Sequence, residues 1–330
     1  MNYSPEICTK AQRYIDDRRG RAAAQLAARQ EEVYSAAPEI REIQRQAASA
    51  VTQLSKLIIT KKGSFQDNFQ RIKRNNLEAQ NYIRQILVSK GFSEDYLEIK
   101  YTCALCSDTG FNQEGRRCTC FEQLAARLAV EELNKSANMP DCDFEHFDLE
   151  FYPKELDSNG VVPYEKMTEV YKFCRLYAQN FSDRSRSLLM IGKTGVGKTH
   201  LSLSVAKQLT EKGINCAYGS VLNFLHEIER EHYGRGEPGR DTLSALTETE
   251  FLVLDDLGAE NYSPFYESTL YNIINTRINM SRPTIISTNL SQVELSEKYN
   301  ERILSRIFGV YTLLRFYGRD IRQEKRLRGM

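Results

Sequence analysis

Residues 192–200, GKTGVGKTH, crowd three glycines, two lysines and two threonines behind the apolar run Leu188-Leu189-Met190-Ile191. Such a stretch packs poorly and costs backbone entropy, so it needs a chemical reason. Gly192, Gly197, Lys198 and Thr199 fit the spacing G-x-x-x-x-G-K-[ST]. With Lys193, Thr194, Gly195 and Val196 between them, the loop would turn successive N–H groups and a helix N-terminus onto a phosphate. Lys198 would then bridge the β- and γ-phosphates of a nucleotide, and the Thr199 hydroxyl would bind Mg²⁺. A glycine turn without a ligand would have no use for Lys-Thr directly after it.

Two more stretches fit that chemistry. In FLVLDDLG, 251–258, four apolar residues put Asp255 at the carboxyl end of a buried strand, the edge where open α/β sheets bind ligands. Asp255 would hold Mg²⁺ directly or through water, and Asp256 would polarise the attacking water. Two acids after a strand also suit a surface turn; the phosphate loop upstream favours the catalytic reading. In TIISTN, 284–289, Asn289 ends another buried strand and could place water against the γ-phosphate, or it could cap the next helix.

A separate chemistry sits at Cys103, Cys106, Cys118 and Cys120, spaced C-x₂-C-x₁₁-C-x-C. The first pair has the knuckle spacing of tetrahedral Zn²⁺, and four thiolates close a structural site. An iron–sulfur cluster or plain reduced thiols are the alternatives. Cys8, Cys142, Cys174 and Cys216 are scattered, with no ligand pattern.

These residues need elements to hold them. With 41% hydrophobic and 27% charged residues in 330, the composition is that of a globular protein of about two domains. No apolar run approaches a membrane span and the start lacks a signal-peptide centre, so the expected location is the cytoplasm. Residues 1–100 read as an α-helical module. Behind Pro38, residues Ile40, Ile43, Ala47, Ala50, Leu54 and Leu57 form an a/d seam that Gly63 breaks. The seam suits self-packing or partner docking. Residues 101–137 form the cysteine unit and a connector helix. Residues 138–165 read as an acidic linker that could still lie across the next domain through Phe144, Phe147, Phe151 and Tyr152. From 166 to 330, five strands alternate with helices, including one helix over 299–308, which predicts a mostly parallel sheet covered on both faces. Charge is uneven: residues 141–170 hold two Lys/Arg against nine Asp/Glu, whereas 315–330 hold six against two. The basic tail and the loop EREHYGRGEPGR, 229–240, are candidate nucleic-acid contacts or simply solvated segments.

The phosphate loop, LDDLG, ISTN and the following ERILSRI together resemble the AAA+ ATPases. They are most similar to the bacterial replicative helicase loaders of DnaC/DnaI type and to their relatives, the IstB-type transposition helper ATPases. The resemblance covers roughly 100–330 and implies an α/β AAA+ P-loop core with a short or absent lid, since 41 residues follow Asn289. It implies an ATPase using ATP, Mg²⁺ and Zn²⁺ that self-associates in a ring or spiral. Its implied partners are the hexameric helicase, through the N-terminal module, and single-stranded DNA, through the core. Arg306 matches the arginine-finger position, with Arg302 second to it, and Arg322 matches the second sensor. A cysteine cluster of this kind resembles those of helicase loaders rather than the transposition helpers, which act with a transposase on duplex DNA. A P-loop small-molecule kinase would leave the helical module and the finger unexplained.

Overall fold

The computed structural model describes residues 3–60, 65–136, 142–157, 160–236 and 238–327, without the side chains of 50–60, 65–69, 71, 72 and 136. Contacts divide the chain into two compact units, one of residues 12–121 and one of 1–11 with 122–330. The boundary expected at 100/101 therefore falls inside the first unit.

The first unit holds most of helix α1 (Pro5–Ala36), then α2 (Pro38–Thr60), α3 (Phe65–Ser89) and the cysteine segment. Pro38 opens α2, where a missing N–H is harmless. Val33 and Ala37 pack with Ile40 of the expected seam and with Ile86 and Leu87 of α3, while Ile43 adds partial burial. The second half of that seam, Ala50, Leu54 and Leu57, and its breaker Gly63 lie outside the described residues and side chains.

The second unit receives α4 (Thr119–Ser136) and then builds the αβ alternation: α5 (Pro163–Gln179), β1 (Leu188–Ile191), α6 (Lys198–Glu211), β2 (Cys216–Ser220), α7 (Val221–His232), α8 (Thr242–Glu248), β3 (Phe251–Leu257), α9 (Pro264–Asn279), β4 (Thr284–Thr288), α10 (Gln292–Lys298), α11 (Glu301–Val310), β5 (Thr312–Arg315) and α12 (Ile321–Leu327). The strands form one parallel sheet in the order β2-β3-β4-β1-β5. Side chains alternate across it. Leu188, Met190, Phe251, Val253 and Ile285 join α5 and α6 on one face. Leu189, Leu252, Leu254 and Ile286 join α7, α8, α9 and α11 on the other. Both faces are covered, as near-continuous apolar strands require. The edge strand β2 is closed by Asn134 of α4, whose side-chain amide donates to Cys216 O (2.7 Å) and accepts from Tyr218 N (3.0 Å).

The helix expected over 299–308 is α11, which begins at Glu301, and the shorter α10 precedes it. Ser291 makes a capping box with Glu294 to start α10, and Asn300 caps α11 through Ile303 N. The break arises because Asn300 holds extended backbone, φ −68° and ψ 158°. The described part of the acidic linker, 142–157 and 160–165, is packed against the core: Phe147, Phe151 and Tyr152 are buried, and Pro163 already opens α5. Residues 138–141, 158 and 159 lie outside the described residues.

Arg277 of α9 is fully buried. Its guanidinium donates to Leu246 O (2.7 Å), Thr249 O (2.8 Å), Pro283 O (2.8 Å) and Thr284 Oγ1 (2.8 Å), tying α9 to the amino ends of the strands.

Candidate nucleotide site and metal cluster

At the carboxyl ends of β1, β3 and β4 a cavity of about 320 Å³ is lined by Lys198, Thr199, Asp255, Asp256, Asn289 and Arg322, among others. The sheet order explains the convergence: β1 lies beside β4, in register from Leu188↔Ile285 to Ile191↔Thr288, and β4 lies beside β3. Residues distant in sequence thus end at one edge, as expected for an open parallel sheet.

The phosphate loop runs from Gly192 into α6 at Lys198. Lys198 Nζ donates to Gly192 O (2.6 Å), Lys193 O (2.7 Å) and Asn289 Oδ1 (2.6 Å). Burial pushes its ammonium down to about 8, although Asp255 and Asp256 pull the other way. Thr199 Oγ1 donates to both oxygens of Asp255 (3.1 and 2.9 Å). Ser287 Oγ donates to Asp255 Oδ1 (2.5 Å) and accepts from Asp256 N (3.0 Å). Burial raises the Asp255 carboxyl above its ordinary range. A buried carboxylate beside a hydroxyl, at the mouth of a phosphate loop, is the hard oxygen set that Mg²⁺ takes together with substrate phosphates. Asp256 and Asn289 meet directly, Nδ2 to Oδ1 at 2.5 Å. Ser291, not Asn289, caps the next helix, so the Asn289 amide is free to face Lys198 and Asp256.

The former linker supplies one wall of this cavity, through Cys142, His146, Phe147, Asp148 and Phe151. Tyr152 OH donates to Val196 O (3.0 Å), and the His200 ring nitrogen Nε2 lies 2.7 Å from Asp143 O. Gly197 has φ +92°, and a Cβ there would stand 2.7 Å from the Tyr152 hydroxyl. Only glycine meets both demands. On the other side, α12 brings Ile321, Arg322 and Lys325 to the cavity, and Ile321 N donates to Gly195 O (3.0 Å). Arg306 is on α11, 5.8 Å from the Tyr271 ring centroid, and is not among the lining residues. Arg302 is exposed.

Sequence patterns missed Ser287 and α12 as an element, whereas Phe147, Phe151 and Tyr152, read as able to lie across this domain, are buried against it. For Ser287 a signal was present: it stands two residues before Asn289, hence on the same face of β4.

In the first unit, the Sγ atoms of Cys103, Cys106, Cys118 and Cys120 all lie within 4.8 Å of one another. Cys103 and Cys118 are 3.8 Å apart, and Cys106 and Cys120 are 3.5 Å apart. Four thiolates about 2.3 Å from one ion stand roughly 3.8 Å from each other in a tetrahedron, so the set could hold a metal. Burial raises the Cys106 thiol, but the Gly110 N–H and the neighbouring thiols outweigh it and hold it at about 7. Behind the cluster, buried Asp108 accepts from Thr102 N (2.8 Å) and Cys103 N (3.0 Å) and pairs with Arg18 (3.5 Å). Arg18 also reaches Cys120 Sγ at 3.9 Å.

The chain is similar to several known proteins. Residues 163–310 match the model of the IstB-like ATP binding protein family. The replicative helicase loader DnaC of Escherichia coli (strain K12) is 25% identical over 133 residues, 40% of this chain and 54% of that protein. The chain thus spans about half the length of that relative. The replicative helicase loader DnaI of Bacillus subtilis (strain 168) is 23% identical over 250 residues, 67% of this chain and 76% of that protein. A crystal structure of the DnaC helicase loader superposes with a TM-score of 0.45 at 25% identity, covering 53% of this chain and 97% of that one. This chain is thus similar to the replicative helicase loaders DnaC and DnaI and, over residues 163–310, to the IstB-like ATP binding proteins.

Proposed function

We propose that this protein is an ATP-driven loader of the replicative DNA helicase, binding the helicase through its N-terminal helices and single-stranded DNA through its AAA+ unit. The observation that carries the nucleotide half is the convergence of Lys198, Thr199, Asp255, Asp256 and Asn289 on one cavity. In this reading the loop from Gly192 to Thr199 holds the phosphates of ATP, and Thr199 with Asp255 would hold Mg²⁺, which would supply positive charge to the phosphates. Asp256 accepts a proton from the attacking water, and Asn289 orients that water. Arg322 reaches the phosphates from within the chain. Arg306, outside the cavity of its own chain, serves a neighbour's nucleotide in a ring or spiral of copies. The four cysteines hold Zn²⁺ as a structural ion. An iron–sulfur cluster would spread the thiols wider than one ion does.

For single-stranded DNA, the AAA+ unit offers an aromatic cluster beside basic residues. Tyr233 is 61% exposed. His232 packs on Tyr233 and Phe265, with ring centroids 5.0 and 5.1 Å apart, and Arg230 and Arg235 flank them in the chain. Exposed rings give bases a sequence-tolerant stacking surface worth ~1–3 kcal/mol each.

The second reading, a transposition helper working with a transposase on duplex DNA, is favoured by the IstB-like match over 163–310. One experiment separates the two. The full chain is immobilised with ATP and offered purified replicative helicase of its host, then single-stranded and duplex DNA. Helicase retention and preference for the single strand support the loader. Binding to duplex alone, with no helicase retained, supports the helper.

A further inference from the structure

Glu260 is 5% exposed, and the catalytic roles above do not use it. A carboxylate removed from water costs several kcal/mol unless donors satisfy it. Here the donors are specific. Gly258 N–H donates to Oε2 (2.9 Å), and the Tyr299 hydroxyl donates to Oε1. Lys298 Nζ donates to the carbonyls of Gly258 (2.5 Å) and Glu260 (2.6 Å), placing a positive charge on the same turn. Burial and the Glu260 carboxylate both keep the Tyr299 phenol protonated, hence a donor.

The turn so held is the one behind Asp256. Asp256 itself has φ +59°, in the left-handed region, which Asp enters more readily than most side chains. Gly258 has φ +105°, and a Cβ there would lie 2.5 Å from Leu290 Cδ1. Asn289 and Leu290 meet this turn just before α10, and Lys298 and Tyr299 meet it at the other end of that helix. One contact would leave a pivot; contacts at both ends of a rigid seven-residue helix fix an orientation. Asp255 bonds to Thr199 and to Ser287, and Ser287 Oγ also accepts from Asp256 N, a further anchor at the start of the turn.

We infer that Glu260 is a positioning residue for hydrolysis: with Lys298 and Tyr299 it braces the turn behind Asp256, so that Asp256 and Asn289 keep one mutual geometry on the γ-phosphate side of the cavity. The inference rests on the ATPase reading and deepens it. It separates two groups of residues. Those of the phosphate loop set nucleotide affinity, whereas the brace sets turnover.

The test uses the full chain, with fluorescent-nucleotide titration for affinity, steady-state ATP hydrolysis for kcat, and thermal melting for fold. Misplacing a catalytic group by an ångström can cost ~10²-fold in rate, so Glu260→Ala should lower kcat by roughly 10- to 100-fold. Nucleotide affinity should stay within about threefold, the signature of an interaction felt in the transition state rather than on binding. Tyr299→Phe, which removes one hydroxyl, should lower kcat less and in the same direction, and Glu260→Gln should recover part of the loss. If Glu260→Ala does not fold, those two milder variants decide. Wild-type kcat in folded Glu260→Gln and Tyr299→Phe overturns the inference. So does a parallel loss of affinity, kcat and melting temperature, which marks a merely structural carboxylate. A wild-type protein that hydrolyses no ATP, alone or with helicase and DNA, refutes the ATPase reading itself.

Discussion

The lysine of the phosphate loop carries a proton that the site makes expensive, and this has a measurable consequence. Burial holds Lys198 at about 8 rather than its ordinary 10.5. In the nucleotide-free fold the buried ammonium costs about 3 kcal/mol below that pH, at ~1.4 kcal/mol for each tenfold change in the proton's binding constant. The cost is relieved as pH rises from 8 to 10.5, because there the unfolded chain holds more protons than the folded one. A triphosphate reverses the situation by giving the ammonium anionic partners, which pushes its pKa back up. Above pH 8 the free protein then binds fewer protons than the complex, so ATP binding takes up a proton and affinity falls with pH. Between about pH 7.5 and 9.5, where the phosphates of ATP are already ionised, the apparent affinity should drop on the order of 20-fold if Lys198 stays charged in the complex. Calorimetry in two buffers of different ionisation heat should show uptake rising toward about one proton per ATP at the alkaline end. AMP, which lacks the phosphates Lys198 would meet, should show no such slope. Affinity constant within a factor of about two across this range, with no proton uptake, would refute the assignment of Lys198 to the phosphates.

Other consequences follow from single side chains. Arg277→Ala strands the carbonyls of Leu246, Thr249 and Pro283 and should cost roughly 3–5 kcal/mol of unfolding free energy in denaturant titration, a loss Lys recovers only partly because it lacks the fork. Purified protein should contain one Zn²⁺, and Cys103→Ser or Cys118→Ser should lower the metal content measured by emission spectrometry. A mixture of Arg306→Ala and Lys198→Ala proteins should regain part of the ATPase activity that each lacks alone, since an intact arginine can then face an intact phosphate loop; a mixture as inactive as its components, under conditions where wild type assembles, would rule out a shared site.

Much of the nucleotide site is readable in the sequence, for a physical reason. A phosphate loop needs glycines at fixed positions and a lysine directly before a helix, and a buried strand leaves an unbroken apolar run before its acids. Those demands are local, so Gly192–Thr199 and Asp255-Asp256 stand out in a single chain. The cysteine spacing is local in the same way, because a metal fixes the distances among its ligands. Asn289 is the intermediate case. Its two readings, water positioning and helix capping, look alike in sequence, and the difference lies two residues on, where Ser291 forms the capping box and leaves the asparagine amide to Asp256.

Residues 142–157, legible only through their aromatic residues, and Glu260, not legible at all, are the opposite case. The strap has acidic residues, little periodicity and neighbouring prolines and glycines, all signs of solvated chain. What buries it is a set of isolated rings, Phe147 and Tyr152, that meet partners 44 or more residues away: Val196, Gly197 and Gly318. Glu260 reads as one more charge in a surface turn, and its burial depends on Lys298 and Tyr299, some 40 residues downstream. Long-range satisfaction of a polar group leaves no mark on local spacing. It does leave a pattern in three dimensions: buried Lys198, Asp255, Ser287 and Glu260 gather at the two turns that matter for a nucleotide, Gly192–Lys198 and Asp255–Glu260, while a second buried polar set surrounds Arg277 at the other ends of the strands. Each turn is held by bonds from segments that carry none of its own sequence signal. If the function proposed for the site is right, substitutions in those unmarked segments should change nucleotide handling as strongly as substitutions in the motifs, and Tyr152→Phe is the sharpest case. It removes one hydroxyl, leaves Val196 O without its donor, and keeps the ring that fills the space against Gly197. Weaker ATP binding in a protein that melts like wild type would show that the strap shapes the phosphate loop; unchanged binding would reduce Tyr152 to packing.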